Sequence, residues 1–205
     1  MNAERCTVFR GERMKKIVMG IIIAAMALGI PAAAVFAGNS KTDKGRTMSK
    51  KILVVFYSRT GNTKKIGEAI AKGLNCDTEQ IMDVKSRMGV SGFLRSGIEA
   101  EKERLVLIKD TKKDPSAYDM VIIGSPVWAS KMSSPVRTYI TKNKDRFKRV
   151  AFFITCSSSE NEPVFKGMEV LCGKKPLAVL LVTEKQIKSD KYAGEVQKFV
   201  SEINK

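Results

Sequence analysis

The chain has 205 residues, 43% of them apolar, enough for one domain of ordinary size plus an appendage and too apolar for disorder. Its 37 basic and 21 acidic side chains give a formal charge of +16. It has no histidine, which excludes serine–histidine triads, most zinc catalysis and any histidine proton relay.

Residues 1–37 read as a segment apart. Arg13, Lys15 and Lys16 precede the apolar run Ile17–Phe36, and Val35-Phe36-Ala37 offers small residues where a signal peptidase cuts. The run is also long enough to span a bilayer uncleaved. The expectation is export or anchoring through this segment, with membrane association through residues 17–36. Translation from Met48 would instead leave a cytoplasmic domain, and Met14 would make a tidier signal start than Met1. Without residues 1–37 the chain keeps 32 basic against 19 acidic side chains, +13. The ordinary reading is a solvated basic surface; the functional one is attraction to anionic partners or a membrane. No nucleic-acid-binding signature is present, so nucleic acid is not expected as a partner.

Residues 38–49 are polar and form a linker, and a domain spans 50–205. Lys51–Tyr57 is a continuous apolar run of strand length, and Ile66, Ile70 and Leu74 then predict a helix. A weaker strand covers Asp77–Val84, and a helix covers Ser91–Arg104 with Leu94 and Ile98 on one face. Leu105–Ile108 is either extended or a helix tail. Met120–Gly124 is a buried strand, and Ser134–Lys142 a helix with Pro135 in its first turn burying Val136, Tyr139 and Ile140. A third apolar strand, Val150–Thr155, a short helix around Val164–Leu171, a last strand Leu177–Val182 and a closing helix through Tyr192–Ile203 complete the chain. Alternating strands and helices predict a parallel sheet covered on both faces, with all strands ending on one edge.

Three polar loops directly follow the most apolar strands: Ser58–Thr63, Ser125–Ala129 and Thr155–Glu160. They should meet at the carboxyl edge, where open α/β sheets bind ligands. Ser58, Thr60, Gly61, Asn62 and Thr63 supply three hydroxyls, an amide and backbone donors with no carboxylate, at a helix start. That chemistry suits a phosphate, and an ordinary helix cap would need one hydroxyl, not three. Cys6, Cys76, Cys156 and Cys172 contain no C-x-x-C pair and predict neither metal nor disulfides; each reads as a small buried apolar residue.

Ser58-Arg59-Thr60-Gly61-Asn62-Thr63 after an apolar strand resembles the [ST]-x-T-G-x-T phosphate loop of the flavodoxin family. Gly124-Ser125-Pro126-Val127-Trp128 resembles the second flavin loop of its short-chain and quinone-reductase-like branches. The resemblance covers about residues 50–205. It implies a flavodoxin-like, doubly wound α/β fold with five parallel strands in the order 2-1-3-4-5, and bound FMN. Carried over, Ser58, Thr60, Gly61, Asn62 and Thr63 would hold the phosphate, with Arg59 adding charge. Ser125, Pro126, Val127, Trp128 and Ala129 form the flavin-ring loop, with Trp128 stacking unless it is a plain core tryptophan. Thr155, Cys156, Ser157, Ser158 and Ser159 would face the polar edge of the ring, and Glu160 and Asn161 are further contacts. The aromatic and acidic residues common there in electron-carrier flavodoxins are missing.

The function this implies is an FMN-binding redox protein in electron transfer, with a redox protein or a small electron acceptor as partner. The alternatives are an NAD(P)H-dependent FMN quinone or flavin reductase, and a flavin-free, membrane-tethered interaction domain. A net positive charge about 10 Å from the ring would favour the anionic reduced form by roughly 1–2 kcal/mol, against the acidic long-chain flavodoxins.

Overall fold

The structure, a computed structural model, describes residues 50–158 and 162–205. The expected signal or anchor, the linker, Ser159, Glu160 and Asn161 lie outside the described residues. Five parallel strands make the sheet: β1 (Ile52–Tyr57), β2 (Asp77–Ile81), β3 (Met120–Trp128), β5 (Val150–Cys156) and β6 (Val179–Thr183), in the order β2-β1-β3-β5-β6. A sixth strand, β4 (Lys131–Met132), folds back antiparallel on β3, pairing Val127 with Met132 and Trp128 with Lys131.

The expectation of five strands in the order 2-1-3-4-5 is corrected in count and numbering by this two-residue strand. It was hidden because its turn lacks the Asn-Gly or Asp-Gly signal. Ala129 (φ 46°) and Ser130 (φ 55°) take the two positive-φ positions of the tight hairpin, where glycine or asparagine is favoured.

The continuous apolar strands are explained by two core layers. Along β1, Leu53, Val55 and Tyr57 enter one hydrophobic cluster, whereas Ile52, Val54 and Phe56 enter the other. The same alternation divides Val150, Phe152 and Ile154 of β5 from Ala151 and Phe153. The first layer is covered by α3 (Ser134–Asn143) and α4 (Glu162–Cys172), through Val136, Tyr139, Ile140, Val164 and Met168. The second is covered by α1 (Asn62–Leu74) and α6 (Ala193–Asn204), through Ile66, Ile70, Val196, Phe199 and Ile203. Close packing leaves no room at Gly124, where a Cβ would stand 2.0 Å from Phe153 Cζ. A short α5 (Glu184–Lys188), unmarked by apolar periodicity, starts on a capping box between Thr183 and Gln186.

The stretch between β2 and β3 departs most from expectation. β2 ends at Ile81, and α2 runs Gly89–Glu101 instead of 91–104. Its buried face is Gly92, Ser96 and Ala100, while Leu94 and Ile98 are about half exposed. The small residues let the helix lie against the Arg87 backbone: a Cβ on Gly92 would come within 2.3 Å of the Arg87 carbonyl carbon. Leu105–Ile108 is extended, with Asp83 bridged antiparallel to Ile108.

Candidate functional site

The carboxyl ends of β1, β3 and β5 open onto one cavity of about 620 Å³, a normal size for a small-molecule site. The first loop contributes Arg59, Thr60, Asn62 and Thr63, the second Pro126, Val127, Trp128 and Ala129, and the third Thr155, Cys156 and Ser157. Right-handed crossovers in a parallel sheet bring these separated stretches to one edge.

At the floor, the Thr63 and Thr155 hydroxyls are 2.7 Å apart and buried, hydrogen-bonding α1 to β5 across 92 residues of sequence. Gly61, at φ 95°, is the N-cap of α1, and no side chain caps the helix. Its own N–H donates to Ser58 Oγ at 3.1 Å, so Ser58 shapes the loop from behind and does not line the cavity. Helix α1 thus starts with no side-chain cap and no carboxylate in its first turn, and its Asn62 and Thr63 line the cavity. An uncapped helix start ringed by Thr60, Asn62 and Thr63 is a donor set for an anion.

One wall is built on the hairpin. Trp128 meets Tyr57 edge to face at 5.6 Å, and the Arg87 guanidinium lies over its ring at 5.4 Å. Arg87 is only 4% exposed; it pairs with Asp83 and reaches Glu99 at 2.6 Å. Burial works against its charge, but Glu99 and Asp83 outweigh that and hold the guanidinium above its ordinary value. The indole is thus held between a ring and a buried ion cluster, and its half-burial makes it both core and wall. The same burial, with Asp83 adding to it and Arg87 opposing, raises the Tyr57 phenol above its usual value, so it is neutral at physiological pH.

Ser125 is placed elsewhere. It is fully buried, accepts the Ser133 N–H at 2.9 Å and lies 2.8 Å from the Pro126 carbonyl, so it ties β3 to the start of α3 and does not reach the cavity. Ser158 is not in the lining either; its carbonyl accepts from Cys156 Sγ at 2.8 Å. Cys76 and Cys172 are pushed up to about 11 and about 12 by burial, which leaves them as inert thiols. Among the described residues no cluster of acidic or cysteine side chains could hold a metal.

The opposite wall consists of residues that loop reasoning did not identify. Phe93, Leu94, Gly97, Ile98 and Glu101 of α2 line the cavity, and Glu184 closes one end. Arg59 stacks on Phe93, guanidinium to ring 5.2 Å. The apolar stripe of α2 was legible as a stripe; only its direction, toward the cavity and away from the core, was not.

No family model matches the chain, and no curated protein sequence matches it. Solved structures do resemble it. A Lactobacillus acidophilus flavoprotein in complex with FMN superposes with a TM-score of 0.55 at 21% identity, over 70% of this chain and 99% of that one. A Bacteroides eggerthii protein assigned as a flavoprotein gives 0.59 at 24% identity, over 68% and 94%. One from Bacteroides uniformis gives 0.61 at 19% identity, over 74% and 98%. At these identities the likeness speaks to architecture alone: the described residues carry a flavodoxin-like α/β fold, with a cavity at the strand ends between an apolar aromatic wall and an uncapped helix start.

Proposed function

We propose that the chain is an FMN-binding redox protein acting in electron transfer. The observation that carries this reading is the uncapped start of α1, with Thr60, Asn62 and Thr63, opening onto the same cavity as Trp128 and the apolar face of α2. A phosphate fits the first and a flat aromatic ring the second, so the donor set suits one ligand bearing both. The fold it shares with the FMN-complexed Lactobacillus protein supports the assignment.

In this reading α1, Thr60, Asn62 and Thr63 hold the phosphate, with Arg59 as the nearest cation. Pro126–Ala129 and α2 enclose the ring, and Thr155, Cys156 and Ser157 offer polar groups at its edge. FMN, when bound, supplies the electron-accepting chemistry. The chain's own residues bind it, orient it and exclude water from its apolar faces. The cavity lining sets Arg59 against Glu101 and Glu184, so a raised reduction potential would come from the net positive charge of the chain as a whole. The N-terminal segment would export or anchor the domain, and a redox protein or small acceptor would take the electrons.

The test is to purify residues 48–205 and ask whether FMN copurifies, then to supply NADH or NADPH with a quinone. Bound flavin without turnover supports the carrier, whereas turnover moves the reading to a reductase. Absence of flavin at any concentration rejects both in favour of a flavin-free interaction domain. Thr60→Glu, which sets a carboxylate against the phosphate, is expected to abolish FMN binding. Equal affinity of the wild type for riboflavin and FMN would contradict the phosphate role.

A further inference from the structure

Nine of the twelve large apolar side chains substantially exposed among the described residues fall between Met82 and Leu107. Phe93, Leu94 and Ile98 line the cavity and are accounted for by it. The others are not. Residues 82–84 and 105–109 lie antiparallel, with the Val84 N–H donating to the Leu107 carbonyl at 3.2 Å and the Lys109 N–H to the Met82 carbonyl at 2.8 Å. Side chains alternate across such a ribbon. Val106 and Ile108 turn onto the core and Asp83 onto Arg87. Met82, Val84, Leu105 and Leu107 turn outward, between 47% and 71% exposed.

A ribbon with one solvated face normally carries polar residues there; here four of the outward side chains are large and apolar. Met88, 68% exposed, adjoins Met82 and Lys85 around a small depression and extends the surface. Lys85, Lys102, Arg104 and Lys109 stand on the same stretch, exposed and in no ion pair among the described residues, beside the exposed Glu101, Glu103 and Asp110, of which Glu103 is taken by Lys131 and Arg137. Exposed apolar side chains interspersed with unpaired cations are what an anionic lipid surface recognises: hydrocarbon for the headgroup boundary, ammonium and guanidinium for the phosphates.

We propose that this face docks the domain onto an anionic bilayer. The net charge of residues 50–205, 29 basic against 18 acidic side chains, supplies the longer-range attraction. The apolar run ending at Phe36 is separated from Lys50 by 13 residues, which span at most about 45 Å extended. A domain tethered by it would stay within reach of the surface, where a weak contact suffices. Among the described residues no helix is long and apolar enough to cross a membrane, so the contact is a surface one. This inference does not rest on the flavin reading.

Both core clusters lie within Ile52–Ile203, so residues 48–205 can be tested without the N-terminal segment. The probe is sucrose-loaded vesicles of phosphatidylcholine and phosphatidylglycerol, 3:1, compared with phosphatidylcholine alone at low salt. The domain is expected to pellet with the anionic vesicles only. Leu105→Ser with Leu107→Ser should lower partitioning by ~10-fold or more. Lys102→Gln, Arg104→Gln and Lys109→Gln together should lower it by ~100-fold, about five-fold per cation, and flatten its salt dependence. Unchanged circular dichroism and urea midpoint certify each variant; if the leucine pair does not fold, Leu107→Asn alone decides. Failure of the wild type to pellet, or pelleting indifferent to both sets, overturns the proposal. So does a lipid-free dimer that the leucine variant dissociates, which would make the face an interface between copies.

Discussion

Replacing Thr63 with valine tests whether the first and third loops are held together by their hydroxyls. Thr63 is 1% and Thr155 4% exposed, and their oxygens are 2.7 Å apart. Valine keeps the volume but leaves the Thr155 hydroxyl buried without its partner, a cost of about 1–3 kcal/mol. For a domain of this size that is a fall in Tm of roughly 2–10 °C. Thr155→Val should cost about the same for the mirror reason. The double variant removes both hydroxyls and leaves no orphan, so its loss should fall short of the summed single losses by at least ~1 kcal/mol. Urea unfolding of the four proteins measures the coupling, and FMN titration of the same samples adds a second readout. If Thr63 also serves the phosphate, the double variant recovers stability but not affinity. Strict additivity of the two stability losses would refute the pairing on which the cavity floor depends.

Other outcomes follow from the same geometry. Ala129→Asn with Ser130→Gly places residues suited to positive φ in the β3–β4 hairpin and should raise stability by about 1 kcal/mol; a lower urea midpoint would contradict the turn geometry. Gly124→Ala drives a methyl into the Phe153 ring and should cost about 1–3 kcal/mol, and a midpoint within error of wild type would show the strand is free to shift. Arg87→Leu strands the Asp83 and Glu99 carboxylates and should cost about 3–5 kcal/mol while shifting Trp128 fluorescence; an unmoved spectrum would separate the ion cluster from the indole. The Lys131 ammonium, with Arg137 beyond it, holds the Glu103 carboxyl below the usual range. A lowered folded value means its stabilisation is complete above the ordinary glutamate range and is lost as pH falls through the lowered one. Glu103→Gln should flatten stability across that acid range, and an unchanged profile would remove Glu103 from the account.

The central strands of the sheet and the loops that follow them are legible in the sequence alone. Runs such as Ile52–Phe56 and Val150–Ile154 are apolar at every position, and only a strand buried on both faces uses every position that way. The helix faces Ile66/Ile70 and Val196/Phe199/Ile203 follow from period alone. Thr60, Asn62 and Thr63 stand out because clustered donors without a carboxylate, at a helix start, have a chemistry of their own.

What the sequence could not decide is the direction of a side chain when two apolar destinations compete. Leu94 and Ile98 carry the same periodicity whether they face a core or a cavity, and the choice falls to Gly92, Ser96 and Ala100, whose small side chains let α2 pack by its other face. Ser125 shares a loop with Trp128, yet burial and the Ser133 N–H claim it. The β3–β4 hairpin escaped notice because Ala129 and Ser130 adopt a backbone they do not favour, held there by the pairing of Trp128 with Lys131. These are outcomes of packing between segments far apart in the chain, and local sequence does not encode which segment will arrive.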